Sequence, residues 1–247
     1  MDVNGYAPGT FCWLDLGTPD VKAAETFYQA LFGWTTEDTG MGYTMCLQRG
    51  RDVGGIYEEI SPGIPPHWNS YVRVENADAA AARAAELGAD LIVEPFDVHV
   101  HGRMAMIQDP TGAHLALWQP NNHKGCGIWG EHGAPCWIEL QTRDTARAEA
   151  FYSALLGWQA QRGHEGYVVF TKDGAHAAGM LAITEAMGPI PPNWLPYFAV
   201  TDCDTTTRLA MELGGSVLVH TMEIPRTCRL AVIQDPTGAV SGVMTML

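Results

Sequence analysis

The chain writes one stretch twice. Residues 12–34 read CWLDLGTPDVKAAETFYQALFGW and residues 136–158 read CWIELQTRDTARAEAFYSALLGW, agreeing at thirteen of twenty-three positions without a gap. The offset of 124 persists through Tyr43 and Tyr167, then Gly55 and Gly179. It becomes 126 where Pro65-Pro66-His67-Trp68 meets Pro191-Pro192-Asn193-Trp194, Arg103 meets Arg229, and IQDPTGA at 107–113 meets the identical run at 233–239. Two residues were therefore added between Gly179 and Pro191, in a loop, and what one copy folds into the other must fold into as well. The 247 residues make two units of about 120, each able to bury a modest core. The expected boundaries are 1–120 and 134–247, joined by residues 121–133, where Asn, Gly and His occur without periodicity.

Within a copy the elements follow from spacing. Phe11–Gly17 reads as a strand, with Trp13, Asp15 and Gly17 on one side and Cys12, Leu14 and Leu16 on the other. Thr18-Pro19-Asp20 starts a helix, with Thr18 as the cap. Val21, Ala24, Phe27, Tyr28 and Leu31 recur at helical spacing and Gly33 supplies the left-handed exit. Tyr43–Gln48 and Val53–Glu58 read as strands, giving a βαβββ unit by residue 60. After the Pro-rich connector at 62–66 the same order recurs: strand Ser70–Val74, helix Ala77–Leu87, strands Leu91–Glu94 and Arg103–Gln108, then an Asp109-Pro110-Thr111-Gly112 turn into Ala113–Gln119. Each repeat is thus two βαβββ modules, and the fold class is α+β.

Charge and cysteine usage narrow the function. Net charge is −14, with 14 Lys and Arg against 28 Asp and Glu and no basic cluster, which argues against nucleic acid and anionic membrane surfaces. The N-terminus lacks a signal peptide's basic and apolar regions, and no stretch approaches the roughly 18 apolar residues of a membrane span, so a cytoplasmic location is expected. The six cysteines have no CxxC spacing and are read as reduced, with no disulfide framework and no zinc site.

The paired βαβββ modules, the D-x-x-x-A-x-x-F-Y-x-x-L-F/L-G-W helix and the terminal D-P-T-G-A hairpin resemble the vicinal oxygen chelate superfamily, which contains glyoxalase I, the bleomycin-resistance proteins and extradiol dioxygenases. The resemblance covers nearly the whole chain twice. The tandem W-x-D/E-L-x-T-x-D pattern is similar to the superfamily's two-domain, glyoxalase-like or hydroxylase branch, some of whose members sit in aromatic-polyketide antibiotic pathways. It implies two cup-shaped mixed sheets with outer helices, and a monomer, because two repeats complete their cups within one chain. These motifs are scaffold and carry no chemistry of their own.

Metal-dependent members take ligands from the first and last strands of each module. The resemblance puts those positions on Trp13, Asn69 and Ala116 in the first repeat and on Trp137, Leu195 and Gly242 in the second. A metal site needs three or four converging N, O or S ligands. No metal and no cofactor are therefore expected, although Asp15 and Glu139, two residues along the first strand, leave a displaced site open. His99 and His101 would share a face if extended; with His114 they are acid/base candidates, since imidazole titrates near neutrality. Repeat two carries Asn193 and Val240 where the first has His67 and His114, so a histidine cluster would belong to one half only.

What the cups do offer is aromatic surface. Trp13, Trp68, Tyr71 and Trp118 in the first repeat, with Trp137, Trp194 and Tyr197 in the second, are expected to line them, each cup pairing a tryptophan with a carboxylate, Asp15 or Glu139. Three functions follow: metal-free binding of a small planar aromatic compound, in resistance or as accessory to a biosynthetic oxygenase; a glyoxalase- or dioxygenase-like enzyme with a displaced metal; or a metal-free hydroxylase or cyclase using His or Asp.

Overall fold

Large apolar side chains ending at a Thr-Pro-Asp turn give β1 (Phe11–Thr18), and helical spacing of apolar residues gives α1 (Val21–Phe32). The computed structural model describes residues 1–59, 61–163 and 166–247. β2 (Thr35–Asp38), β3 (Tyr43–Gln48) and β4 (Arg51–Glu58) complete the first module. The second is β5 (His67–Arg73), α2 (Ala77–Glu86), β6 (Asp90–Val98), β7 (Gly102–Gln108) and β8 (His114–Pro120). Repeat two begins with β9 (Pro135–Thr142), α3 (Thr145–Leu156), β10 (Gln159–Arg162), β11 (Val168–Lys172) and β12 (Ala175–Ala182). It ends with β13 (Asn193–Ala199), α4 (Cys203–Glu212), β14 (Ser216–Ile224), β15 (Cys228–Gln234) and β16 (Val240–Met246). The two extra residues fall where a short 3-10 turn, Glu185–Met187, precedes β13.

Each repeat forms one eight-stranded mixed sheet, ordered β2-β3-β4-β1-β5-β8-β7-β6 and β10-β11-β12-β9-β13-β16-β15-β14. The fold is therefore the α+β, doubly repeated βαβββ arrangement that the duplication implies. Two local expectations are corrected. The α1 cap is Asp20, whose side chain accepts from the Ala23 amide at 2.9 Å, while Thr18 Oγ1 accepts only from the Asp20 amide. Asp144 caps α3 in the same way, because a carboxylate at this position reaches the free amides and complements the helix dipole. Simple alternation also fails at the start of β1, where the register to β5 shifts between Phe11 and Trp13. Phe11 joins Leu14 and Leu16 in the main core, and Cys12 packs with Trp13 instead.

The faces bearing Leu14, Leu16, Leu140 and Trp194 share one core with the helices, and that core runs through both repeats. α1 lies beside α4 and α2 beside α3, so each repeat's helices pack against those of the other. At the centre the Tyr28 hydroxyl donates to Asp235 Oδ2 at 3.0 Å, and the Tyr152 hydroxyl donates to Asp109 Oδ2 at 2.7 Å. Both phenols also accept an indole N–H, from Trp68 and Trp194 respectively. The other aspartate oxygen, Oδ1, is spent inside its own D-P-T-G turn, on Thr111 and Ala113 or on Thr237, Gly238 and Ala239. The two repeated motifs of the sequence thus bind each other across the repeat boundary, reciprocally.

Residues 121–134 also belong to this packing. Ile128 and Ala134 are fully buried, Val3 donates its amide to Gly127 O, and Gly133 donates its amide to Ala199 O. Among the described residues no helix is long and apolar enough to cross a membrane.

Tyr28→Phe and Tyr152→Phe should each cost about 1–3 kcal/mol, because each strands a buried aspartate oxygen and a buried indole N–H. Urea denaturation of the two variants measures this, and the two losses should be similar. Losses below about 0.5 kcal/mol in both would show that the reciprocal bonds do not hold the repeats together.

Candidate functional site

The face that each sheet turns away from the shared core is where the first-strand residues Trp13 and Asp15, or Trp137 and Glu139, emerge. Cross-strand partners lie on one face, so the register identifies the rest. Trp13 pairs with Tyr71, Tyr71 with Ala116, Ala116 with Met106 and Met106 with Val93, forming one layer across the first sheet. The matching layer of the second sheet is Trp137, Tyr197, Gly242, Val232 and Val219. Next to these run Trp118, Met104 and Phe96 in one sheet and Met244, Leu230 and Met222 in the other.

Below Trp13 sits a buried carboxylate bonded to two tyrosines and an asparagine. Asp15 is 3% exposed; its Oδ1 accepts from Asn69 Nδ2 at 3.0 Å and its Oδ2 from the hydroxyls of Tyr71 at 2.7 Å and Tyr43 at 3.2 Å. The Tyr43 hydroxyl in turn accepts from Trp13 Nε1 at 2.9 Å, and Asn69 also donates to the Tyr57 hydroxyl. Glu139 repeats the design: Gln141 Nε2 donates to its Oε1 at 3.1 Å and Tyr197 at 3.4 Å, while Trp137 Nε1 donates to the Tyr167 hydroxyl at 2.9 Å. Burial raises both carboxyl pKa values above the ordinary range, and the donors from asparagine, glutamine and tyrosine only partly offset it. Tyr43, Tyr71 and Tyr197 are held far above the usual phenol range, by burial first and then by the adjacent carboxylate, so they remain donors.

Several sequence expectations are corrected here. Trp68 and Trp194 do not line the cups: they pair with Leu16 and Leu140, on the opposite face, and pack in the shared core against Tyr28 and Phe198 or Tyr152. The layer holding Trp13 and Ala116 contains Tyr71, not Asn69, which pairs with Asp15. Likewise Tyr197 rather than Leu195 sits level with Trp137. His99 and His101 do not share an extended face, because β6 ends at Val98, β7 begins at Gly102, and His99 adopts a left-handed turn conformation with φ 48°. His114 lies on the cup face of β8, two residues from Ala116, with its pKa lowered by partial burial and by His67. Trp13, Asp15, Tyr71 and Trp118 do come together, as do Trp137, Glu139 and Tyr197.

Sequence reasoning missed Tyr43 and Tyr167, though both copies carry them. Their signal is the accompanying glycine: a methyl group at Gly55 would collide with the Tyr43 hydroxyl, and one at Gly179 with the Tyr167 hydroxyl. It also missed the exposed apolar wall, Val93 and Phe96 in one cup and Val219 and Met222 in the other, which are 36–46% exposed.

A divalent ion of the kind the fold class often holds does not fit these residues. The layer where it would sit offers indole, phenol and alanine or glycine, and both oxygens of Asp15 are engaged by neutral donors. Among the described residues no three His, Cys, Asp or Glu side chains converge as a ligand set would.

Comparison with known proteins agrees with the two-cup architecture. Residues 12–118 match a family described as glyoxalase-like domain, and residues 136–240 match the glyoxalase/bleomycin resistance protein/dioxygenase superfamily. CFP32 of Mycobacterium tuberculosis is 36% identical, the alignment covering 97% of this chain and 95% of that protein. The anthracycline biosynthesis protein DauV of Streptomyces sp. (strain C5) is 37% identical, covering 98% of this chain and 94% of that one. Among solved structures, the Mn(II)-bound glyoxalase from Novosphingobium aromaticivorans shares the fold with a TM-score of 0.69 at 12% identity, covering 96% of this chain and 82% of its own.

The raised carboxyl pKa values predict a pH effect. A carboxyl that holds its proton more tightly when folded makes the folded state less stable as pH rises from the ordinary carboxylate range through the raised value. Urea midpoints measured from pH 4 upward should therefore fall more steeply for the natural protein than for an Asp15→Asn, Glu139→Gln double variant. Identical slopes would mean that the two carboxyls are not perturbed.

Proposed function

The chain belongs to the glyoxalase/bleomycin resistance protein/dioxygenase superfamily, and from that premise we propose that it holds a small planar aromatic molecule in a cup without a metal ion. It would do so in antibiotic resistance or as an accessory to a biosynthetic oxygenase, as a monomer. The observation that carries this reading is the substitution of chemistry in the key layer: indole and phenol stand where the superfamily's metal-dependent members place ligands. Flat side chains in an apolar wall bind flat ligands, each stacked contact contributing about 0.5–1.5 kcal/mol beyond area burial. The partly exposed Met222 and Phe96 offer further apolar and polarisable surface. DauV and DnrV carry anthracycline biosynthesis in their names, and an anthracycline is a planar polycyclic aromatic, which supports the ligand class.

Both oxygens of Asp15 are engaged by its own neighbours, Glu139 Oε1 accepts from Gln141 and Tyr197, and burial makes the charged form of each carboxyl costly, so neither is a ready counter-ion for an amine. A phenolic hydroxyl suits the floor better, since it can donate to tyrosine oxygens whose own protons are committed to the carboxyls. The same buried carboxyls, their pKa values raised by desolvation, favour a second reading, a metal-free acid/base catalyst acting on such a compound, and product analysis after incubation separates turnover from binding.

Tryptophan fluorescence titrated with neutral 1,4-dihydroxyanthraquinone and with a cationic anthracycline tests the proposal. Both should quench with affinity better than millimolar, the neutral quinone at least as tightly. Trp137→Ala should weaken binding by about 1–3 kcal/mol if the ring is a central contact. Absence of quenching by either compound, with the fold intact, sinks the reading.

A further inference from the structure

The two cups carry the same floor but differ in what covers it. In the first, the segment that joins the repeats folds back over the tryptophan. The His123 ring stands edge-on to Trp13 with centroids 4.3 Å apart and an interplanar angle of 86°, and Trp118 Nε1 donates to His123 O at 3.1 Å. Cys126 donates its amide to Cys12 O, and the Tyr6 hydroxyl caps the Cys126 carbonyl at 2.8 Å. Tyr6 packs against Trp129 in turn, so the segment is tied down along its length. Trp13 and Trp118 are each left 5% exposed. The imidazole occupies ring-stacking surface that a guest would need, and among the described residues its buried Nε2 has no hydrogen-bond partner.

The second cup is built differently at the equivalent positions. Met244 replaces Trp118 and Cys228 replaces Gly102, the glycine over which the Trp118 ring lies. Trp137 stays partly exposed: beside its floor partners Tyr167 and Tyr197, the ring above it is that of His176, itself exposed and edge-on at 6.2 Å. Its wall is Met222, Leu230 and Met244, unbranched or flexible side chains that adapt to a guest. The hydroxyls of Tyr167 and Tyr197 and the Glu139 carboxyl supply polar atoms at the floor.

We infer that the chain's own segment Asn121–Trp129 occupies the first cup and that the second cup alone takes a ligand, a neutral planar aromatic with a phenolic hydroxyl, at one molecule per chain. This rests on the proposal that the cups bind planar aromatics, and adds which cup does so and what fills the other. The two cups are then not redundant. The first is a structural half closed by its linker, and the second is the functional half.

The full chain, labelled with 15N at its tryptophan indoles, tests this by calorimetric and NMR titration with 1,4-dihydroxyanthraquinone. Saturation is expected at one per chain, moving the Trp137 indole signal, identified by its loss in Trp137→Phe, and leaving that of Trp13 in place. Met222→Lys, a change at an exposed position that should not disturb folding, is expected to weaken binding at least tenfold. Replacing His123 and Lys124 by glycine should uncover the first cup and add a second, weaker binding event. Saturation at two per chain in the natural protein, a shift of the Trp13 signal instead of Trp137, or unaltered affinity in Met222→Lys overturns the inference while aromatic binding stands. No binding at all overturns both.

Discussion

Two buried hydrogen bonds set the geometry on which everything else depends: Tyr28 to Asp235 and Tyr152 to Asp109. Each joins the aromatic helix motif of one repeat to the D-P-T-G turn of the other. Each aspartate first closes its own turn with one oxygen, then offers the second to the partner repeat, so the turn cannot satisfy its carboxylate alone. The cost of an unpaired buried acceptor makes the two repeats mutually dependent. Aromatic packing follows the same reciprocity, with Phe198 seated against Phe32, Trp34 and Trp68, and Phe11 against Trp158 and Trp194. Because this lock consumes one face of each sheet, the opposite faces are the ones left for a ligand.

Those faces each hold a buried carboxyl that accepts from tyrosine hydroxyls and a side-chain amide. Burial raises the carboxyl pKa values, and the tyrosines, whose pKa values are pushed upward, stay hydrogen-bond donors. A site of this kind presents neutral polar atoms beneath aromatic walls. On the proposed reading, such a site takes uncharged, flat compounds with oxygen on one edge.

Much of this was legible in the sequence. The internal repeat determined the number of modules, and the strand Tyr43–Gln48 and the helix around Phe27 and Tyr28 appear where periodicity places them. Trp13 and Asp15 could be placed on one side of their strand because alternation separates its two sides, and the repeat carries Trp137 and Glu139 with them, whereas Tyr71 and Tyr197 were placed in the cups by the resemblance alone. What could not be read depends on pairing across the chain. The face of Trp68 is set by its register with Leu16, and a strand read alone has no register. A bulge near Cys12 breaks alternation without any glycine or proline to announce it. The Tyr28–Asp235 bond spans 207 residues, and nothing in either motif says that its partner lies in the other copy. The packing of His123 on Trp13 was hidden for a similar reason, since a run of Asn, Gly and His reads as a linker whether or not it packs.

The central claim is that a carboxylate–phenol network stands where a metal centre would otherwise organise the cup. Crystals grown with manganese(II) in excess, measured for anomalous scattering, test it most directly. The account predicts no ordered ion in either cup, with the Tyr43 and Tyr71 hydroxyls still bonded to Asp15 and the Tyr197 hydroxyl to Glu139. An ion within bonding distance of Asp15 or Glu139, with those hydroxyls displaced, would contradict it.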